Sequence, residues 1–166
     1  FPKGVTLSHL NILNNGFHIG ELLGYTEQDV LVIPVPFFHC FGMVIGTIAA
    51  VSHGTLSVIP SRSFEPVAAL QAAADTKATS LYGVPTMFIE MQRHPRFDSV
   101  DFSHLKLLVS GGAPCPQPVF ERFFARGVDF KTGYGLTEAG PNNFWLPSGD
   151  VRRKPGSVGV PLFHVE

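Results

Sequence analysis

Cysteine is nearly missing from this 166-residue chain: Cys40 and Cys115 are the only two. Two thiols cannot build a disulfide framework, and neither lies in a C-x-x-C pair or a close His/Cys cluster, which excludes a thiolate metal site. Reduced thiols in a cytoplasmic protein are the expectation. Charge is thin as well. Charged residues make up 15%, and 12 basic against 13 acidic side chains leave a net charge of -1. That balance offers no basic field for nucleic acid and no acidic tail. Long hydrophobic runs are absent too. The longest, residues 40–51, spans twelve positions, too short to cross a bilayer, and its glycines suit a packed helix. No transmembrane segment is expected. The opening residues, Phe1-Pro2-Lys3-Gly4, carry no apolar targeting region.

What is present is 45% apolar residues, enough for one domain with a core. Ser8 caps a helix predicted from His9 through Leu23, which Gly24 ends. Strands are predicted over 30–33, 55–59, 78–82, 105–109 and 128–132, and helices over 43–51, 65–74, 85–93 and 116–124. Strand and helix alternating at this spacing predicts an α/β fold with a largely parallel sheet and flanking helices. Residues 141–157 lose periodicity and carry Pro, Asn, Gly and Arg, which predicts a loop.

Ligands of open α/β sheets bind beyond the carboxyl ends of the strands. Three stretches fall at that edge: residues 34–42, 110–114 and 133–140. The last is the densest. Gly133, Gly135 and Gly140 permit close backbone approach, Tyr134 offers a flat ring, Thr137 a hydroxyl and Glu138 a hard oxygen ligand. A nucleotide site is one reading of this turn, and a tight strand-to-loop corner with incidental polar residues is the other.

Five segments, in order, resemble motifs of the acyl-adenylate-forming enzymes, the superfamily of acyl-CoA synthetases, peptide-synthetase adenylation domains and luciferase. Pro2-Lys3-Gly4-Val5 resembles the end of the phosphate loop, and Pro36-Phe37-Phe38-His39-Cys40-Phe41-Gly42 the aromatic-histidine motif. Gly111-Gly112-Ala113-Pro114 resembles the adenine-side loop, Tyr134-Gly135-Leu136-Thr137-Glu138 the signature turn, and Gly156-Ser157-Val158-Gly159-Val160-Pro161 the segment after it. The details are most similar to bacterial fatty-acyl-CoA synthetases.

The resemblance implies two half-reactions. A carboxylate attacks the α-phosphate of Mg-ATP to give an acyl-adenylate and pyrophosphate, and a thiol, usually that of coenzyme A, then displaces AMP. It implies that Lys3 neutralises the β- and γ-phosphates and that Tyr134 stacks on adenine against a wall of Gly111, Gly112, Ala113 and Pro114, with Gly135 beside it. Thr137 would bond the α-phosphate or the acyl carboxylate, and Glu138 would hold Mg²⁺. His39, Cys40, Val84 and Gly133 would line the acyl tunnel, with His39 either donating to the substrate carboxylate or standing as a satisfied histidine. A carboxylate nucleophile needs no general base near neutral pH.

The aromatic-histidine segment has no acidic residue where amino-acid-activating relatives carry an aspartate, so the acid is expected to lack an α-amine. Residues 40–46 and 82–87 are the expected apolar pocket. A medium- or long-chain fatty acid is the expected substrate, with an aryl acid or o-succinylbenzoate as the nearest rival and a non-catalytic nucleotide- or acyl-binding module as the competing class. The resemblance further implies that residues 1–166 are the central part of an N-terminal AMP-binding domain, without the C-terminal lid domain and its lysine. Adenylation by the chain alone is therefore not expected, and self-association is.

Overall fold

The computed structural model describes residue 1, residues 3–163 and residue 165; Pro2 of the phosphate-loop motif lies outside them. Helix α1 runs His9–Leu23. Ser8 caps it by accepting from the Asn11 N–H, and Gly24 closes it in the left-handed region at φ 70°, where a glycine costs little. Strand β1 (Val30–Val32) follows. The next helix begins earlier than its apolar run suggests, as a π-helix over Phe41–Ile48, and continues as α2 (Ala49–Ser52). Then come β2 (Leu56–Val58), α3 (Pro66–Asp75), β3 (Ser80–Gly83) and α4 (Pro85–Arg93). After these lie β4 (Leu107–Ser110), α5 (Gln117–Phe124) and β5 (Asp129–Tyr134).

The predicted loop is not all loop. Residues 141–157 contain β6 (Phe144–Leu146) and α6 (Ser148–Val151), and β7 (Val160–Pro161) follows. Strands this short show no periodicity, and β6 is defined by its antiparallel partner β5 rather than by its own sequence. The sheet has seven strands in the order β2-β1-β3-β4-β5-β6-β7. Pairing is parallel from β2 to β5 and antiparallel beyond it.

Side chains alternate across the sheet. Val32, Leu81, Leu108, Phe130 and Leu146 face one core with α3, α4 and α5, where Phe88, Phe120 and Phe123 dominate. Leu31, Ile33, Tyr82, Leu107 and Val109 face the other, built from α1 and the π-helix through Ile19, Phe41 and Ile45. Glycine makes that second layer thin. A Cβ on Gly16 would lie 2.5 Å from Ile48 Cγ2, and one on Gly20 2.3 Å from His53 Nδ1, so α1 approaches the π-helix and α2 along a bare stripe.

Asp29 ties the turn after α1 to the sheet. Its Oδ2 accepts from Thr26 Oγ1 at 2.8 Å and Thr26 N at 3.0 Å, and Lys106 Nζ lies 3.5 Å from Oδ1. Burial acts to raise this carboxyl, but the Thr26 hydrogen bonds and Lys106 outweigh it and hold the group below the ordinary carboxylate range. A depressed folded pKa gives stability that is present above the unfolded value of about 3.9 and lost as pH falls through the folded value. The melting-temperature gap between wild type and Asp29→Asn is therefore expected to be widest near neutral pH and to close on acidification; a constant gap would contradict the linkage.

Leu10, Leu13 and Phe17 on α1 are exposed, as are Leu56 and Ile59 at the β2 edge. An apolar helix face and an open strand edge favour association. Multi-angle light scattering of the 166-residue chain is expected to show a dimer or larger species, and a monodisperse monomer would oppose this. Among the described residues, no helix is long and apolar enough to cross a membrane.

Candidate functional site

The three stretches at the carboxyl edge of the sheet meet. Strands β4 and β5 are adjacent, in register Ser110 to Thr132, so the turn after β4 and the turn after β5 lie side by side. The segment after β1 crosses to join them: Cys40 Sγ lies 3.3 Å from Thr137 Oγ1, across 97 positions of sequence. Two cavities open there. The first, about 260 Å³, is lined by His39, Cys40, Phe41 and Ile45, by Ser110, Gly111 and Gly112, and by Thr137 and Glu138. The second, about 340 Å³, is lined by Gly112, Ala113, Pro114, Tyr134 and residues 155–158. Both include Gly112, Thr132, Gly133, Gly135 and Leu136, so the end of β5 forms the partition between them.

All the expected site residues but Lys3 and Val84 line one cavity or the other. Tyr134 is 45% exposed and meets Phe144 edge-on, with centroids 6.0 Å apart, which leaves ring surface toward the second cavity. Gly111, Gly112, Ala113 and Pro114 form the turn opposite, with Gly112 left-handed at φ 80°. Thr137 and Glu138 begin a 3-10 turn over Thr137–Ala139, and both are exposed at the first cavity. No cluster of three or more potential ligands occurs among the described residues. The one exposed carboxylate of Glu138 fits a hard cation that takes most of its oxygens from phosphate and water, as magnesium does.

His39 is exposed, and its Nδ1 accepts from the Phe41 N–H at 3.1 Å. The neutral ring therefore carries its proton on Nε2, as a donor beside the cavity. Lys3 is exposed and lines neither cavity. Val84 also lines neither, packing instead under Gly112 and against the α1-side core. The same holds for Tyr82, whose fully buried hydroxyl donates to the Ile45 carbonyl at 3.2 Å and accepts from Tyr25 at 3.0 Å. Of the expected pocket segments, residues 40–46 supply wall and residues 82–87 supply core.

Other walls come from places the motifs do not cover. Ile19, Leu22 and Leu23 at the end of α1, together with Val109, Lys131 and Trp145, complete the first cavity. The middle of α1 braces the turn. Asn15 is buried; its Nδ2 donates to the Asn142 carbonyl at 2.7 Å, and its Oδ1 accepts from the Asn142 N–H at 3.2 Å. Asn143 closes the turn from the other side, accepting from Leu136 N at 3.3 Å and donating to Ala139 O at 2.8 Å. Asn15 lies beside Gly16, Ile19 and Gly20 on the buried face of α1, and a polar side chain on that face needs a partner.

The glycines of the turn have a specific explanation. A Cβ on Gly133 would lie 2.6 Å from Asn142 Oδ1, and one on Gly135 2.0 Å from the Pro141 carbonyl oxygen. Their close approach is to the chain's own returning segment. Cys115, half-buried at the second cavity, has its thiol pushed up to about 11 by burial, which makes it inert rather than nucleophilic. Both cysteines are free.

Comparison with known proteins agrees with this geometry. The family model "AMP-binding enzyme" matches residues 1–166. An acyl-CoA ligase of Ajellomyces capsulatus is 43% identical over 166 residues, covering 98% of this chain and 28% of the relative. The mitochondrial medium-chain acyl-CoA ligase of Mus musculus is 39% identical over 173 residues, covering 99% and 28%. Among solved structures, the o-succinylbenzoate coenzyme A synthetase of Bacillus subtilis, in complex with ATP and magnesium ion, superposes with a TM-score of 0.83. It is 27% identical and covers 98% of this chain and 33% of that one. The chain thus spans under a third of the length of these curated relatives. With a split cavity at the strand ends, a mostly parallel sheet of this order and a family match along its whole length, the chain belongs to the AMP-binding enzymes.

Proposed function

We propose that the protein carrying this chain is an AMP-forming acid–CoA ligase, and that this chain supplies the partition between its nucleotide and acyl pockets. The observation that carries the reading is the pair of cavities sharing the end of β5, with Thr137 and Glu138 beside the partition. A nucleotide base in the second cavity stacks on Tyr134 against the Gly111–Pro114 turn. The acid enters the first cavity with its carboxylate toward His39 Nε2–H and Thr137 Oγ1. A carboxylate oxygen attacks the α-phosphorus, the bond to pyrophosphate breaks, and the acyl-adenylate forms. The thiol of coenzyme A then attacks the acyl carbon and AMP leaves. Held in line, the reactants need no proton transfer in the first step, so positioning and charge stabilisation are what the site contributes. Glu138 would hold magnesium, which supplies charge neutralisation on the phosphates.

The acid we assign is a medium-chain fatty acid. The first cavity, about 260 Å³, lies just below the roughly 300–1,000 Å³ usual for small-molecule sites, and its small size supports medium over long chains. The absence of a carboxylate among Phe37–Gly42 leaves no partner for an α-ammonium. An aryl acid is the second reading, favoured by the flat Trp145 and Phe41 rings on the cavity wall. Free thiols fit a reducing compartment such as the cytoplasm. Lys3 toward the β- and γ-phosphates, a lid domain closing over the partition, and self-association of the isolated chain belong to the same reading. ATP–pyrophosphate exchange by the full-length gene product, across medium-chain, long-chain and aryl acids, tests it. Exchange with a medium-chain acid and no exchange with amino acids is expected; no exchange with any carboxylic acid would overturn the ligase assignment.

A further inference from the structure

Resting on that ligase reading, and narrowing its medium-chain acid to one with a carboxylate at each end, we infer that Lys131 is a specificity-determining residue that selects acids carrying a second, distal carboxylate. The fold puts it on the correct face. Phe130 packs into the α5-side core, so Lys131 and Gly133 point to the other side of β5. Lys131 pairs in register with Val109, and Gly133 with Trp145. All four line the first cavity. Lys131 thus lies two residues, about 7 Å along an extended strand, below Gly133 on the acyl side. Thr137 and Glu138 lie at the opposite, carboxyl end of the strand.

The environment there does not suit a lone cation. Beside Lys131 lie Val109, its partner in register, and Trp145; Thr137 and the Glu138 carboxylate line the same cavity beyond the carboxyl end of the strand. The side chain is half-buried, and its ammonium sits 5.5 Å from the Trp145 ring centroid. No carboxylate lies within ion-pair distance of it among the described residues; Asp129, two positions back, acts on it only from farther away. Burial lowers the Lys131 pKa, with Asp129 opposing the change. A half-buried cation held over an aromatic ring, with no carboxylate at ion-pair distance among the described residues, is completed by an anion entering with the substrate. The geometry gives a two-ended site. The reacting carboxylate lies at Thr137 and the spectator carboxylate at Lys131, with a spacer of several carbons or an aromatic ring against Trp145.

The test uses ATP–pyrophosphate exchange by the full-length gene product. Dicarboxylic acids and the matching monocarboxylic acids of equal chain length are compared on wild type, Lys131→Met and Lys131→Arg. Wild type is expected to prefer the dicarboxylate. Lys131→Met is expected to lose about tenfold or more in kcat/KM for the dicarboxylate, mainly through KM, while keeping or improving the monocarboxylate. Lys131→Arg is expected to restore the preference, because it restores the charge. A wild-type preference for the monocarboxylate, or equal losses on both acids in Lys131→Met with no rescue by arginine, would overturn the inference and leave the ligase assignment standing. No exchange with either acid class would overturn both.

Discussion

Replacing Gly135 by alanine is expected to lower the melting temperature by about 5 °C or more and to cut adenylation activity about tenfold or more. The added Cβ would sit 2.0 Å from the Pro141 carbonyl oxygen, 2.6 Å from its carbon and 2.8 Å from Asn142 Cα. All three are backbone atoms, so no rotamer change relieves the clash. The returning segment is fixed in place by Asn15, buried and bonded to both backbone groups of Asn142, and by Asn143, bonded to Leu136 N and Ala139 O. Overpacking costs about 1–3 kcal/mol even where side chains can adjust, and here relief means pulling residues 141–143 off α1. Thr137 and Glu138 lie inside that loop and move with it. Gly149→Ala is the control. Nothing lies within 4 Å of its Cβ position and it sits in α6, so a change of no more than about 1 kcal/mol is expected. Thermal melts of both variants decide the matter, and equal melting temperatures would remove the clamp from the account.

Gly135 also marks how far the sequence could be followed. The turn's glycines signalled close approach, and close approach is what the structure has. One sequence cannot say what approaches, and the partner is the chain's own Pro141 and Asn142. Local signals carried most of the fold. Ser8 and Gly24 bounded α1 at its observed ends because caps depend on a few neighbouring groups. The central strands β1, β3 and β4 showed as apolar runs because they are buried between the two helical layers. Strands β6 and β7 did not show, since three residues and two residues exist as strands only through antiparallel pairing with β5 and with each other. The π-helix was invisible for a similar reason. Its composition is that of any buried helix; Gly42 near its start approaches Pro36, where a Cβ would meet the carbonyl oxygen at 2.4 Å.

The site was legible where a motif holds its residues together and not where the fold does. Tyr134, Thr137, Glu138 and the Gly111–Pro114 turn are short sequence neighbourhoods, and they arrive at one edge together. Lys131 reaches the first cavity through its place on β5 opposite Val109, and Trp145 only because β6 folds back antiparallel, which sets it opposite Gly133. Val84 shows the converse: it follows a buried strand as an acyl-wall residue should, yet it lies one layer too deep, beneath Gly112.

Glu138→Gln is expected to lower kcat/KM for ATP by about 10²–10³-fold, the range seen when a group aimed at developing transition-state charge is removed. Glutamine keeps the size of the side chain and one carbonyl oxygen but removes the negative charge that a divalent cation requires. The residue sits in a single 3-10 turn and forms no ion pair among the described residues, and its side chain stands exposed at the cavity. Its removal therefore changes stability by no more than about 0.5 kcal/mol, so a loss of activity cannot be attributed to unfolding. The turn that presents it is secured independently, since Asn143 bonds the backbone of Leu136 and Ala139 on either side. The measurement is ATP–pyrophosphate exchange by the full-length gene product, with magnesium titrated at fixed ATP. The variant is expected to need more magnesium for half-maximal rate, because one of few protein ligands has lost its charge. Wild-type magnesium dependence with a loss below about fivefold would place the cation on other residues and reduce Glu138 to a solvated side chain beside the partition.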